Sequence, residues 1–384
     1  MAKKLKVAIV CDWLTNMGGA ERVVYELHKL YPDAPIYTSQ YDDNPKLWYG
    51  WNWLEDADIR TTWLQHLPKS LKKFLPVLRA FTFPRLNLSD YDLVLSSSGA
   101  EAKAVRTGPN TIHICYCHSP TQYYWNRYDE YLKHPGFPKG FNWLARYALK
   151  FLVAPLRSWD RSAAKRPDIM IANSSHTQEM IRKYYKRESS VIFPPVDIDR
   201  FKVRGTPPTR HGFVTAGRQT PYKRIDLAIA ACNELKVPLV VIGNGPEHSK
   251  LEKMANRNIT FLTAVSEEDI AKHFQSSLAF IFPTNVEDFG VTAVEAMAAG
   301  TPVIAYRKGG PLDYVIPNKT GLLFDKQTVQ SLVKTLEQFN PNRFDAQKIA
   351  DFSENFSADK FAKHMKDFID QAIKERTNSA DAQN

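Results

Sequence analysis

Two trains of short apolar runs, each run followed by a helical pattern, occupy most of the 384-residue chain, and a break at 201–212 separates them. The first train contains LKVAIVCDW (5–13), YDLVLSSS (91–98), TIHICYC (111–117), DIMIANSS (168–175) and SVIFPP (190–195). Between the first two runs, GAERVVYELHKLYP places Val23, Leu27 and Leu30 on one helical face. The break, FKVRGTPPTRHG, mixes prolines, glycines and basic residues and reads as a linker. The second train follows with GFVTAG (212–217), PLVVIG (238–243), ITFLT (259–263) and LAFIFP (278–283), again with helical patterns between. Strands that are apolar throughout are buried on both faces, which is the mark of a parallel sheet covered by helices. The expectation is an α/β chain of two doubly wound domains, 1–203 and 204–352, whose strands end toward a shared cleft. A C-terminal helical segment, 353–384, either completes the second domain or crosses back to the first.

Charge is uneven. Residues 1–200 hold 28 basic against 20 acidic residues, a surplus of eight, whereas residues 201–384 hold 23 against 21. A basic half suits an anionic partner such as phosphate, nucleic acid or acidic lipid, and it also suits plain solubility. The four cysteines (Cys11, Cys115, Cys117, Cys232) suit a reducing compartment better than a disulfide framework. HICYCH (113–118) has a metal-like look, but it lies in a strand and lacks a second ligand pair at metal-site spacing. MAKKLKVAIVCDW runs from lysines directly into a strand, so no signal peptide is expected, and no uncharged window is long enough for a transmembrane helix.

Chemistry concentrates at strand ends. LTNMGGAE (14–21) follows the first strand and opens a helix, where Gly18 and Gly19 leave the backbone open to an anion. GNGP, with Gly243, holds the matching place in the second half. In GRQTPYKR (217–224), Arg218 and Lys223 flank a helix start; a guanidinium and an ammonium there suit a diphosphate, and equally a solvated loop. FPTNVEDFGVTAVEAMAAG (282–300) embeds Glu287 and Glu295 in an otherwise apolar or small-residue stretch. Thr292-x-x-Glu295 matches a capping box, which would tie Glu295 to backbone and leave Glu287 and the Asp288-Phe289-Gly290 turn unexplained. Both carboxylates can accept hydrogen bonds from polyol hydroxyls beside a phosphate site.

EDFGVTAVEAMAAGTPVIA, with seven residues between its two glutamates and the GG and GLLF that follow, resembles the donor-site signature of the family 4 glycosyltransferases of GT-B fold. GRQTPYKRIDLAI resembles that family's phosphate-binding segment, and GGAERVV, IANSSHT and GNGP fall where the family has counterparts. CHSPTQYYW (117–125) and FPPVD (193–197) resemble a subgroup that moves mannose from GDP-mannose in surface polysaccharide assembly; many relatives carry asparagine-glycine in place of Pro194-Pro195.

The resemblance implies a retaining hexosyltransferase that needs neither cofactor nor metal. It implies that Arg218 and Lys223 bind the diphosphate as it leaves, that Glu287 and His118 contact the sugar, and that Glu295 holds the ribose. It also implies donor binding at Gly18, Gly19, Gly243, Asp288, Phe289, Gly290 and Val291. Partners would be a nucleotide sugar and a glycan or lipid-linked acceptor, without nucleic acid, for which no aromatic-basic motif is present. Competing expectations are a UDP-sugar donor, a nucleotide-sugar-binding protein without catalysis, and a nicotinamide oxidoreductase, which would need a G-x-G-x-x-G absent here. Two basic-apolar segments, 67–86 and 141–166, suit contact with an anionic inner membrane face by a cytoplasmic enzyme, or inward packing with a wet basic face; Pro76 and Pro155 are expected to interrupt them.

Overall fold

The computed structural model describes residues 5–44, 56–68, 75–133, 142–203 and 208–381. The chain divides into two units, one formed by residues 1–193 together with 362–384, the other by residues 194–361.

In the first unit, seven parallel strands form a sheet. They are β1 (Val7–Cys11), β2 (Ile36–Thr38), β3 (Ile59–Thr61), β4 (Leu93–Ser98), β5 (Ile112–Cys117), β6 (Ile169–Ala172) and β7 (Ser190–Val191). Their spatial order is β3-β2-β1-β4-β5-β6-β7, with Ile9 opposite Ile36 on one side and Leu95 on the other. Every residue of β1 and β4 is buried, as strands covered on both faces must be. The connecting helices are α1 (Gly19–Leu30), α2 (Leu75–Thr82), α3 (Tyr128–Lys133), α4 (Asn142–Ala163) and α5 (Ser175–Met180).

The second unit repeats the plan with six strands in the order β10-β9-β8-β11-β12-β13. These are β8 (Phe213–Ala216), β9 (Leu239–Ile242), β10 (Ile259–Leu262), β11 (Ala279–Phe282), β12 (Val303–Tyr306) and β13 (Gly321–Phe324). Its helices are α6 (Ile225–Leu235), α7 (His248–Met254), α8 (Glu267–Gln275), α9 (Val291–Ala298), α10 (Val329–Gln338) and α11 (Ala346–Ser353). The core on one face joins Ile225, Ile229 and Cys232 of α6 to Val241, Ile281, Ile304 and Leu332. A last helix, α12 (Ala358–Asp381), starts in this unit, and from residue 362 the chain belongs to the first.

Both sheets have the strand order of a doubly wound fold, which reverses direction between β1 and β4 in one and between β8 and β11 in the other. Loops leaving the strands' carboxyl ends diverge at that reversal and leave a crevice. The residues expected to bind ligand leave from those strands or from β5 and β9 beside them.

Two expectations about helices need correction. Pro155 does not interrupt α4, which runs through it from Asn142 to Ala163. Proline removes one backbone donor, but Pro155 is exposed, where water can satisfy the carbonyl released. Pro76 lies in the first turn of α2, where a backbone N–H has no partner within the helix in any case. Lys69, Leu71, Lys72, Lys73 and Phe74 of the first basic segment lie outside the described residues. All four cysteines are buried and free.

Candidate active site

The second unit gathers its predicted residues around three loops. After β8 the chain passes through Gly217 and the exposed Arg218 into a short turn, Pro221–Lys223. After β11 it passes through Thr284 and Glu287 to the start of α9. The Asn285 amide donates to the Tyr222 carbonyl at 2.9 Å, which ties these two loops together. The Lys223 ammonium lies 2.6 Å from Glu287 Oε2, with both side chains about one-fifth exposed. A third loop, after β12, closes on the second: the Gly310 amide donates to the Glu287 carbonyl at 2.8 Å.

Two glycines make that closure feasible. Gly309 has φ +79°, and a Cβ there would stand 2.5 Å from the Glu287 carbonyl oxygen. Gly290 has φ +96°, and a Cβ there would stand 2.6 Å from the Tyr314 hydroxyl. Side chains are disfavoured in such backbone and have no room here. The Tyr314 hydroxyl donates to the Phe289 carbonyl at 2.9 Å, and the Phe289 ring packs edge-on against Tyr314. Phe289 is 3% exposed, so its side chain belongs to the core and its main chain is what it can present to a ligand.

Gly290 is the N-cap of α9. Thr292 is therefore already inside the helix, and the capping-box reading of Thr292 and Glu295 fails. Glu295 lies one turn into α9, nearly buried, on a helix of otherwise small or apolar side chains. Val291 and Asp288 flank the N-cap and are partly exposed. The start of this helix thus sets the positive end of its dipole beside the Lys223–Glu287 pair, an arrangement suited to an anion.

Gln219 was not apparent as a site residue from sequence, yet it is fully buried and central. It donates from Nε2 to the Gly243 carbonyl at 2.7 Å, and its Oε1 lies 2.7 Å from His248 Nδ1. The Gly217 carbonyl lies directly over Gly243, leaving no space for a Cβ. The loops after β8 and β9 are therefore locked together beneath Arg218. Gly309 and Tyr314 were missed likewise. A GG pair after an apolar strand was the available signal for the first, and none existed for the second.

In the first unit, the predicted Gly18, Gly19 and His118 stand at the carboxyl edge of its sheet, together with Asp12, which was not predicted. Asp12, just past β1, accepts hydrogen bonds from the amides of Gly99, Ala100 and Ala102 at 2.7–2.9 Å. His118, just past β5, has Nε2 2.7 Å from Ser97 Oγ, and its ring meets Tyr116 edge-on. Burial pushes the His118 imidazole down to about 4, so it is neutral at physiological pH. It can exchange hydrogen bonds with a hydroxyl without adding positive charge. Gly18 caps α1 in extended backbone, and Gly19 is the first residue of that helix. Burial pushes the carboxyl of Glu21 up to about 7, against hydrogen bonds from its own amide and that of Gly18 and with Asp12 pushing further upward. The Gly18 amide, expected to receive a phosphate, is thus engaged by a carboxyl group in the first turn of α1.

The model of "Glycosyl transferases group 1" matches residues 197–359, and that of "Glycosyltransferase Family 4" matches residues 17–200. Each half of the chain thus matches a glycosyltransferase family model, and the two matches together span residues 17–359. D-inositol 3-phosphate glycosyltransferase of Streptomyces avermitilis is 30% identical over 204 residues, 45% of this chain and 44% of that protein. The GDP-mannose-dependent alpha-(1-6)-phosphatidylinositol monomannoside mannosyltransferase of Mycobacterium tuberculosis is 26% identical over 200 residues, 44% of this chain and 52% of the relative. The alignments thus span about half the length of these curated relatives. Among solved structures, Anabaena HepE in complex with UDP and glucose superposes with TM-score 0.66 at 18% identity, covering 95% of this chain and 99% of that one. Sucrose-phosphate synthase of Thermosynechococcus elongatus gives 0.69 at 16% identity, covering 97% and 100%. The fold of the chain is accordingly GT-B, two Rossmann-like domains, as the strand orders already indicated.

Proposed function

We propose that this protein is a family 4 glycosyltransferase that transfers mannose from GDP-mannose to a hydroxyl of a glycan or lipid-linked acceptor, with retention at the anomeric carbon and without a metal ion. The observation that carries the reading is the Lys223–Glu287 pair in the loops leading to α6 and α9, with Arg218 exposed in the loop after β8. A diphosphate gains charge as its bond to the sugar breaks, and two fixed cations stabilise that charge more than the charge of the bound donor. Glu287, held by Lys223, suits sugar hydroxyls, and Glu295 suits the ribose. In this chemistry the bond from the anomeric carbon to the phosphate oxygen breaks while the acceptor oxygen bonds to the same face. The acceptor proton passes to the departing phosphate, and no enzyme carboxylate bonds to the sugar. Mannose and guanosine are supported by the CHSPTQYYW and FPPVD segments and by a relative named as GDP-mannose-dependent.

A thermal-shift panel of nucleotides and nucleotide sugars, followed by transfer assays with and without EDTA, tests this reading. GDP and GDP-mannose should raise the melting temperature, UDP-sugars should not, and turnover should survive the chelator. Stabilisation by a UDP-sugar alone replaces the donor. Stabilisation without turnover, across a panel of acceptors, favours a binding protein. Inactivation by EDTA removes metal independence.

A further inference from the structure

Helix α4 presents an unusual outward face. Trp143, Tyr147 and Phe151 recur every fourth residue and are 68, 70 and 77% exposed. Four-residue spacing advances about 40° around a helix, so the three rings form one stripe roughly 12 Å long. Together with Leu152, they make up four of the nine exposed large apolar side chains among the described residues.

The opposite side of α4 explains why the stripe faces out. Val153 and Ala163 are buried, and Leu156 and Trp159 pack against the core. Asp160, the helix's one carboxylate, is fully buried 2.7 Å from the Lys103 ammonium. It accepts further hydrogen bonds from Trp125 Nε1 at 2.7 Å and the Tyr185 hydroxyl at 2.9 Å. The helix is thus fixed in rotation by a buried charge pair, and its outward face carries no acid.

It does carry cations. Arg146 and Lys150 are exposed between the aromatic positions, and Arg161 is exposed further along. Arg146 donates to the Leu132 and Lys133 carbonyls, which brings the end of α3, with exposed Tyr131 and Lys133, beside the stripe. One exposed acid, Asp129, lies at the far end of α3.

We propose that this face of α4, with the adjoining end of α3, docks on an anionic lipid bilayer. Tryptophan and tyrosine pair an apolar ring with a polar tip and settle at the headgroup boundary, while flanking lysine and arginine meet lipid phosphates. A second copy of the chain would bring the same cations against themselves, which disfavours that occupant. No described helix is long and apolar enough to cross a membrane, so the contact is peripheral.

Liposome flotation of the full chain tests this directly. Wild-type protein should float with vesicles of phosphatidylcholine and phosphatidylglycerol at low salt, and poorly with phosphatidylcholine alone. Binding should weaken with added salt, because exposed charge is screened within about 8 Å at physiological ionic strength. Lys133→Glu with Lys150→Glu should lower the bound fraction roughly tenfold or more. Trp143→Ser, Tyr147→Ser and Phe151→Ser together should abolish flotation while leaving the melting temperature unchanged, since the three side chains are exposed. Failure of the wild type to float at low salt overturns the proposal, as does undiminished binding by the triple variant. A wild-type dimer that becomes monomeric in the triple variant, with no flotation by either, assigns the face to self-association instead.

Discussion

The carboxyl edges of the two sheets are built from the same strand order and use charge in opposite ways. At the first edge, charged groups are sealed: Arg79 lies 2.8 Å from Glu101, Lys103 lies 2.7 Å from Asp160, and all four side chains are 7% exposed or less. Asp12 is buried among three backbone amides. At the second edge, Lys223 and Glu287 meet at 2.6 Å with both still reachable from solvent, and Arg218 is exposed. A buried pair costs desolvation and fixes geometry; a pair at a crevice can trade its partner for a ligand. The first edge therefore uses its charges as scaffold, and the second keeps them within reach of solvent.

The largest effect should come from the scaffold side. Asp160→Ala leaves the Lys103 ammonium buried without its carboxylate and strands the Trp125 and Tyr185 donors. Removing one member of such a pair costs about 3–5 kcal/mol. Denaturant unfolding should show this loss, and Lys103→Met in the same chain should recover part of it by removing the stranded charge. A loss under about 1 kcal/mol would mean that the pair is not holding α4, and the contrast between the two edges would fall.

Lys223→Ala should behave in the reverse way. In the proposed function its ammonium faces charge that develops during reaction, and deleting one such donor costs roughly 3–4 kcal/mol in the transition state, so turnover should slow by about a hundredfold to a thousandfold. Stability should change by less than about 1 kcal/mol, the range of partly exposed pairs. Steady-state kinetics and a melting curve on the same preparation separate the outcomes. A variant that unfolds early but turns over at the wild-type rate would place Lys223 with the scaffold.

The difference between the edges also governs what could be read from sequence. The alternating apolar runs located nine of the thirteen described strands, because strands buried on both faces must be apolar. β2 and β3 have three residues each, too few for any periodicity to register. β12 and β13 lay in a segment whose glutamates and glycines drew the reading instead. At the second edge, Lys223 and Glu287, which the structure brings together, stood out in the sequence as charges beside apolar strand ends. The buttresses were not. Gln219 and Tyr314 act by reaching across loops that only folding brings together, and nothing in their local sequence marks them. The sealed charges of the first edge were equally silent: Lys103, Asp160, Arg79 and Glu101 look like surface residues until their partners, 57 and 22 positions away, are known.

Glu21 at the first edge has its proton poised near neutrality, and it gives the finest probe of the contrast. Burial pushes its carboxyl from the ordinary 4.5 up to about 7. The folded chain therefore holds this proton more tightly than the unfolded chain does. Between pH 4.5 and 7 the folded state binds more protons, so stability falls as pH rises through that window and stays low above it. Glu21→Gln keeps the shape of the protonated acid and cannot ionise. Wild type and variant should thus match near pH 4, while at pH 8 the variant should be more stable by up to about 3 kcal/mol, from 1.36 kcal/mol per pKa unit. Urea denaturation at the two pH values measures the difference, and other titrating groups cancel between the two proteins. An equal gap at both pH values would show that Glu21 ionises as freely as an exposed acid. The glycine loop would then belong with the open, ligand-ready chemistry of the second edge, and scaffold and site would no longer divide between the two sheets.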